Sequence, residues 1–220
     1  MRKKTLIAAA VLAAATLTLS ACGSGGGGDD TEKPLADVST EQDTKAATVL
    51  DQPFTKPDLV LKDTKGEKFD LREQTKGKPT LIYFGYTNCP DACPLIMSNI
   101  AIARKSLSKA EQEQLQVVLV TTDPERDTPE HLGKWLKGQD PSFIGVTGDF
   151  PTIQASARTL GITIEEPVKE KDGTITSMHS KQVIAFSPKT DKGYVFYNAE
   201  TVSDADLAKD LPKIIKGENP

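Results

Sequence analysis

The sequence predicts an α/β fold, a central mixed sheet flanked by helices, and three observations predict it. Residues 80–86 (TLIYFGY) and 116–122 (QVVLVTT) are β-branched or aromatic through their centres, so both read as strands buried on two faces. Each run is followed by a stretch with apolar residues at helical spacing. Nearer the C-terminus, two shorter runs at 181–186 and 194–197 flank the polar turn 187–193, the pattern of a hairpin.

The elements follow in order. Lys78-Pro79 opens the first strand and a cysteine-bearing turn closes it. Residues 94–108 then carry Ile96, Ile100, Ala103 and Leu107 on one face, which packs on the sheet. Beyond the second strand, Thr128-Pro129-Glu130 reads as an N-cap, a proline at the first helical position and an acid at the positive end of the dipole. That helix runs to Leu136. A strand at 143–147, a helix at 151–160 stopped by Gly161, the hairpin, and a helix at 203–215 complete the chain. With two cysteines at the end of the first buried strand, this order gives a thioredoxin-like layout. Ligands of open α/β sheets bind at the carboxyl ends of strands, where this pair falls.

The N-terminus bears on compartment. Arg2, Lys3 and Lys4 precede an uncharged run, 5–20, rich in alanine and leucine and short for a membrane span. Leu19-Ser20-Ala21-Cys22 closes it and resembles the lipobox of bacterial lipoproteins, where cleavage precedes a cysteine that then carries lipid. The division expected is a signal peptide at 1–21, a lipidated Cys22 with a flexible tether at 22–51, and one domain at 52–217. Glycine, charge and low apolarity predict the tether. The expected location is the outer face of the bacterial cytoplasmic membrane, anchored and not crossing it. The formal charge of −4 falls to −7 when Arg2, Lys3 and Lys4 leave with the signal. An acidic domain without a basic stripe excludes nucleic acid as the expected partner.

Cys89 and Cys93 stand in YTNCPDACPL, each followed by proline. Pro94 fits the first helical position, which predicts Cys93 as the N-cap and puts both sulfurs over a helix N-terminus that favours thiolate. A structural disulfide would close a loop of only a few residues, where the entropic gain is least. Thioredoxin-type redox pairs have two intervening residues; here there are three. Structural zinc wants four ligands, and the mature chain offers no further cysteine and two histidines. A soft ion with few ligands, copper, matches better. For a third donor, His131 reads as a solvated surface residue, and Met97 and Met178 as packing. For His179, just ahead of a strand, a loop role and a ligand role stay equally open.

Residues 83–94 (YFGYTNCPDACP), with TDPERDTPE at 122–130 and His179-Ser180, resemble the Sco/SenC family of copper chaperones. The resemblance covers about 52–215. It implies a membrane-tethered thioredoxin-like protein that helps assemble the dinuclear copper centre of cytochrome c oxidase. In that family two cysteines and a distant histidine bind one copper ion, which carries onto Cys89, Cys93 and His179. The implied partners are the oxidase's copper-centre subunit, other copper chaperones and thiol–disulfide oxidoreductases. Two departures stand out: Met178 replaces an acid that often precedes the histidine, and Ala92 replaces a larger aliphatic residue. The loop 123–127 is expected near the site. Competing readings are a thiol–disulfide reductase keeping the oxidase cysteines reduced, with Cys89 and Cys93 as its redox disulfide, a peroxidase, and a solute-binding or scaffold lipoprotein.

Overall fold

The computed structural model describes residues 46–220. The expected signal peptide, Cys22 and all but the last residues of the expected tether lie outside them. Strands β1 (Ala47–Thr55), β2 (Val60–Asp63) and β3 (Lys68–Asp70) come first, then helix α1 (Leu71–Thr75) and strand β4 (Thr80–Gly85). Next are α2 (Ala92–Lys105), α3 (Lys109–Gln114), β5 (Gln116–Thr121), α4 (Pro129–Gln139), β6 (Ile144–Thr147) and α5 (Phe150–Arg158). A two-stranded flap, β7 (Val168–Lys169) and β8 (Ile175–Thr176), precedes β9 (Gln182–Phe186), β10 (Lys192–Asn198) and α6 (Asp204–Ile215).

Eight strands form one mixed sheet in the order β1-β10-β9-β4-β5-β6-β2-β3. β4, β5 and β6 run parallel, while β9 lies antiparallel against β4. Side chains alternate between the faces of a strand, and the two cores record it. Leu81 and Tyr83 join one core with Ile96, Met97 and Ile100 of α2 and Leu207, Leu211 and Ile214 of α6. Ile82 and Phe84 join the other with Ile153 and Ala157 of α5. Both faces of β4 are therefore covered, and all six of its residues are buried, as its unbroken apolar run predicts.

The α/β thioredoxin-like layout and its central elements agree with the sequence expectation; the edges and boundaries differ. β1 begins at Ala47, so the ordered strand starts ahead of the expected boundary at 52. Its half-exposed edge sequence, ATVLDQPFT, has the mixed polarity of a linker, but pairing with β10 holds it in the sheet. β2 and β3 form a hairpin whose turn needs Gly66 at φ +81°. Among the described residues no helix is long and apolar enough to cross a membrane.

Candidate metal centre

The strand order assembles the site. Since β9 runs antiparallel to β4, the segment entering β9 lies beside the exit of β4. β5 runs parallel, so its exit loop reaches the same rim. Cys89 and Cys93 follow β4, Asp123 to Asp127 follow β5, and His179 precedes β9. Three loops distant in sequence converge at one end of the sheet.

The cysteine loop differs locally from expectation. Asp91, not Cys93, caps α2, its carboxylate accepting the Ala92 amide, and Cys93 sits in the first helical turn with Pro94 after it. First-turn amides have no intrahelical acceptor, so a proline there forfeits no hydrogen bond, and the aspartate cap starts the helix earlier. Both cysteines are free thiols, Cys89 at the buried margin and Cys93 fully enclosed. The Cys93 amide donates to Cys89 Sγ at 3.3 Å, and the Tyr83 hydroxyl lies 3.5 Å from Cys93 Sγ. A hydrogen bond from Cys93, with help from the Cys93 and Asp91 amides, offsets burial and brings the Cys89 thiol down to about 6. The same pairing, together with burial, pushes the Cys93 thiol far up. The two shifts run in opposite directions, so Cys89 is the sulfur that ionises first.

His179 is half-buried, with Nε2 3.9 Å from Cys93 Sγ. Its Nδ1 lies 3.1 Å from the Ser180 carbonyl, a partner that can only accept, so Nδ1 carries the proton and Nε2 turns its lone pair toward the sulfurs. Burial lowers the pKa of the ring and keeps it neutral. The Ser180 carbonyl thus fills the orienting role that a preceding acid would take, and Met178, 64% exposed, has no part in it. That exposure also corrects the expectation that Met178 is a packing residue; Met97 is one, wholly buried in the core under α2. Tyr83 and Tyr86 meet the imidazole edge-on, with centroids at 6.0 and 5.8 Å. The backbone around His179 is pinned as well: Glu165 donates to the Met178 carbonyl and Ser180 to the Thr163 carbonyl.

The aspartate loop lies where expected and does more than cap a helix. Asp127, fully buried, accepts from the Thr87 amide, the Thr87 hydroxyl and the Thr121 hydroxyl. His131 is exposed as predicted, yet its Nε2 sits 3.0 Å from the Thr87 hydroxyl. Arg126 pairs with Asp123, stacks over Tyr86 and donates to the Ile175 carbonyl of β8, tying the flap to the site. Sequence reasoning placed the loop of Asp127 near the site but gave no role there to Tyr83, Thr87 or the Asp127 carboxylate. Two sulfurs and one imidazole nitrogen make a donor set for a soft or borderline metal. Among the described residues no group of three His, Cys, Asp or Glu side chains is gathered closely enough to hold a metal ion as placed.

Known proteins resemble this chain in sequence and fold. The SCO1/SenC family model matches residues 43–216. A Stutzerimonas stutzeri protein named for copper binding is 34% identical over 163 residues, 74% of this chain and 78% of that protein. The mitochondrial SCO1 protein of Saccharomyces cerevisiae is 29% identical over 62% of this chain, and the match spans only 46% of that longer protein. Among solved structures, copper-bound ScoI of Bradyrhizobium japonicum aligns with a TM-score of 0.62 at 28% identity, covering 75% of this chain and 99% of that one. Copper-bound yeast Sco1 aligns with a TM-score of 0.64 at 26% identity, covering 79% and 92%. With a family match over residues 43–216 and this shared fold, the chain belongs to the SCO1/SenC family.

Proposed function

We propose that this protein is a copper chaperone that binds one copper ion through Cys89, Cys93 and His179 and delivers it to the dinuclear copper centre of cytochrome c oxidase. The observation that carries the reading is the unprotonated Nε2 of His179 facing Cys93, held there by the Ser180 carbonyl. Two sulfurs suit Cu(I), and the added imidazole suits Cu(II). Cys89 is already charged near neutrality, whereas Cys93 surrenders its proton on binding. Copper is cargo, and three donors at a rim allow its release by ligand exchange. The copper-binding name of the Stutzerimonas relative and the copper-bound relatives support this choice of metal.

The proposal includes the N-terminal expectations: a signal peptide at 1–21, lipidation at Cys22, a tether to the start of the domain, and a position on the outer face of the bacterial cytoplasmic membrane. The partner is the copper-centre subunit of the oxidase, with other copper chaperones or thiol–disulfide oxidoreductases upstream. Titrating the reduced domain with Cu(I) and Cu(II) tests the site: Cys89→Ser, Cys93→Ser and His179→Ala should each weaken binding strongly. An unchanged Cu(II) affinity and spectrum in His179→Ala would refute the three-donor site.

A second reading rests on the asymmetry of the thiols. A charged sulfur near the surface beside a buried, protonated one is the arrangement of an attacking and a resolving thiol, so the protein is also suited to reduce the cysteines of the oxidase subunit. A His179→Ala strain that still assembles oxidase when copper is ample would favour this reductase role.

A further inference from the structure

Tyr83 lies beneath the thiol loop, 1% exposed, with its hydroxyl 3.5 Å from Cys93 Sγ and its ring edge-on to His179. Among the described residues that sulfur is the hydroxyl's only hydrogen-bond partner. A buried phenol hydroxyl ordinarily finds an oxygen, and Tyr197 on the same side of the sheet does so, donating to Asp210 at 3.2 Å. The fold makes room for the unusual pairing. Gly85 follows Tyr83 by two residues and shares its face of β4. A Cβ at that position would lie 2.6 Å from Tyr83 Cε1 and 3.0 Å from Cys93 Sγ. The side chain missing at 85 is the space in which ring and sulfur meet.

We propose that Tyr83 is a positioning residue whose hydroxyl donates a hydrogen bond to Cys93, setting how readily that sulfur gives up electron density to an oxidant or to bound copper. A phenol hydroxyl is a stronger donor than a thiol, so Tyr83 donates and Cys93 accepts. Cys93 in turn holds its partner through its backbone, the amide donating to Cys89 Sγ at 3.3 Å. A donor on sulfur stabilises the reduced thiol over the less basic disulfide sulfur. On a copper-bound thiolate it weakens donation to the metal, one of the levers by which hydrogen bonding tunes such centres.

The test begins with metal-free protein equilibrated against reduced and oxidised dithiothreitol. There Cys89 and Cys93 pass two electrons to the reagent: the Cys89–Cys93 bond forms, the reagent's disulfide opens, and its two sulfurs take up one proton from Cys93 and one from Cys89 or, where Cys89 is ionised, from solvent. Tyr83→Phe keeps the ring and removes only the donor, and should shift this equilibrium toward the protein disulfide by about fivefold, the weight of one ordinary hydrogen bond. Biosynthetic 3-fluorotyrosine, a stronger donor, should shift it the opposite way. Tyr197→Phe, which removes a buried hydroxyl bonded to Asp210 and to neither thiol, should leave it unchanged. In protein loaded with Cu(II), Tyr83→Phe should also move the sulfur-to-copper charge-transfer band to lower energy. An unmoved dithiol equilibrium in both altered proteins, or an equal shift in Tyr197→Phe, would overturn the proposal. The last readout rests on the copper reading; the first contains no copper, so a wild-type protein that failed to bind the metal would refute that reading and leave this one to be decided by the thiols.

Discussion

Asp127 grips Thr87 by both its amide and its hydroxyl, two residues ahead of Cys89. The carboxylate is fully buried and also accepts from Thr121, so one acid from the β5 exit loop ties down the loop leaving β4. Without it the Thr87 amide and the Thr121 hydroxyl lose their acceptor. Asp127→Ala should therefore cost about 2–4 kcal/mol in urea unfolding of the metal-free domain, more than an ordinary single hydrogen bond. It should also weaken copper binding by roughly tenfold or more, as losses behind a metal ligand do. A variant as stable as the parent would show that the loop holds its shape without this contact.

The thiols should titrate unequally. Cys89 falls to about 6 because Cys93 donates to it, so its reaction with iodoacetamide should reach half its maximal rate near that pH and stay high above it. Cys93→Ala removes the donor, and the midpoint should climb toward that of an ordinary thiol. If both proteins gave the same midpoint, the hydrogen bond would not be the cause.

Gly85→Ala tests the close approach of sheet and helix. The added methyl meets the Tyr83 ring and the Cys93 sulfur, both enclosed in the core. Overpacking of this kind costs about 1–3 kcal/mol. Denaturant melts should record the loss, and the same variant should bind copper less tightly because Cys93 is displaced. Stability and affinity equal to the parent's would mean that the neighbours yield without strain.

Asp210 offers a stability prediction away from the rim. Burial raises its pKa against the opposing hydrogen bond from Tyr197. A carboxyl whose folded pKa exceeds its unfolded value contributes most in acid, and that contribution is lost as pH rises through the folded value. Asp210→Asn retains an oxygen for Tyr197 and carries no charge. It should show a higher urea midpoint than the parent at neutral pH and no advantage below the ordinary carboxylate range. A lower midpoint at neutral pH would mean that the ionised form is the stabilising one.

The parts of this fold legible in the sequence are those whose burial is symmetrical or whose caps are chemical. β4 and β5 are buried on both faces and read as unbroken apolar runs, while Thr128 and Pro129 announce α4 by cap and ring. β1 and β3, the sheet's edges, and the short β2 beside β3 escaped because they expose about half their residues and are held by pairing that sequence does not display. The cysteines were plain from their spacing. His179 was not, because its place depends on β9 running antiparallel beside β4, a property of the whole sheet; resemblance to a family supplied what periodicity could not. Tyr83 and Asp127 were hidden for a related reason. A strand tyrosine and a loop aspartate are ordinary residues until the fold shows which atoms they face.

β1 enters the sheet with Ala47 opposite Tyr197, at the same end where β4 releases the thiol loop. The first described strand therefore begins on the working rim and not at the far pole of the sheet. That rim gathers the first strand's start, both sulfurs, the imidazole and the aspartate loop at one pole, so a probe attached near Ala47 reports on the thiol loop and not on the opposite end of the sheet.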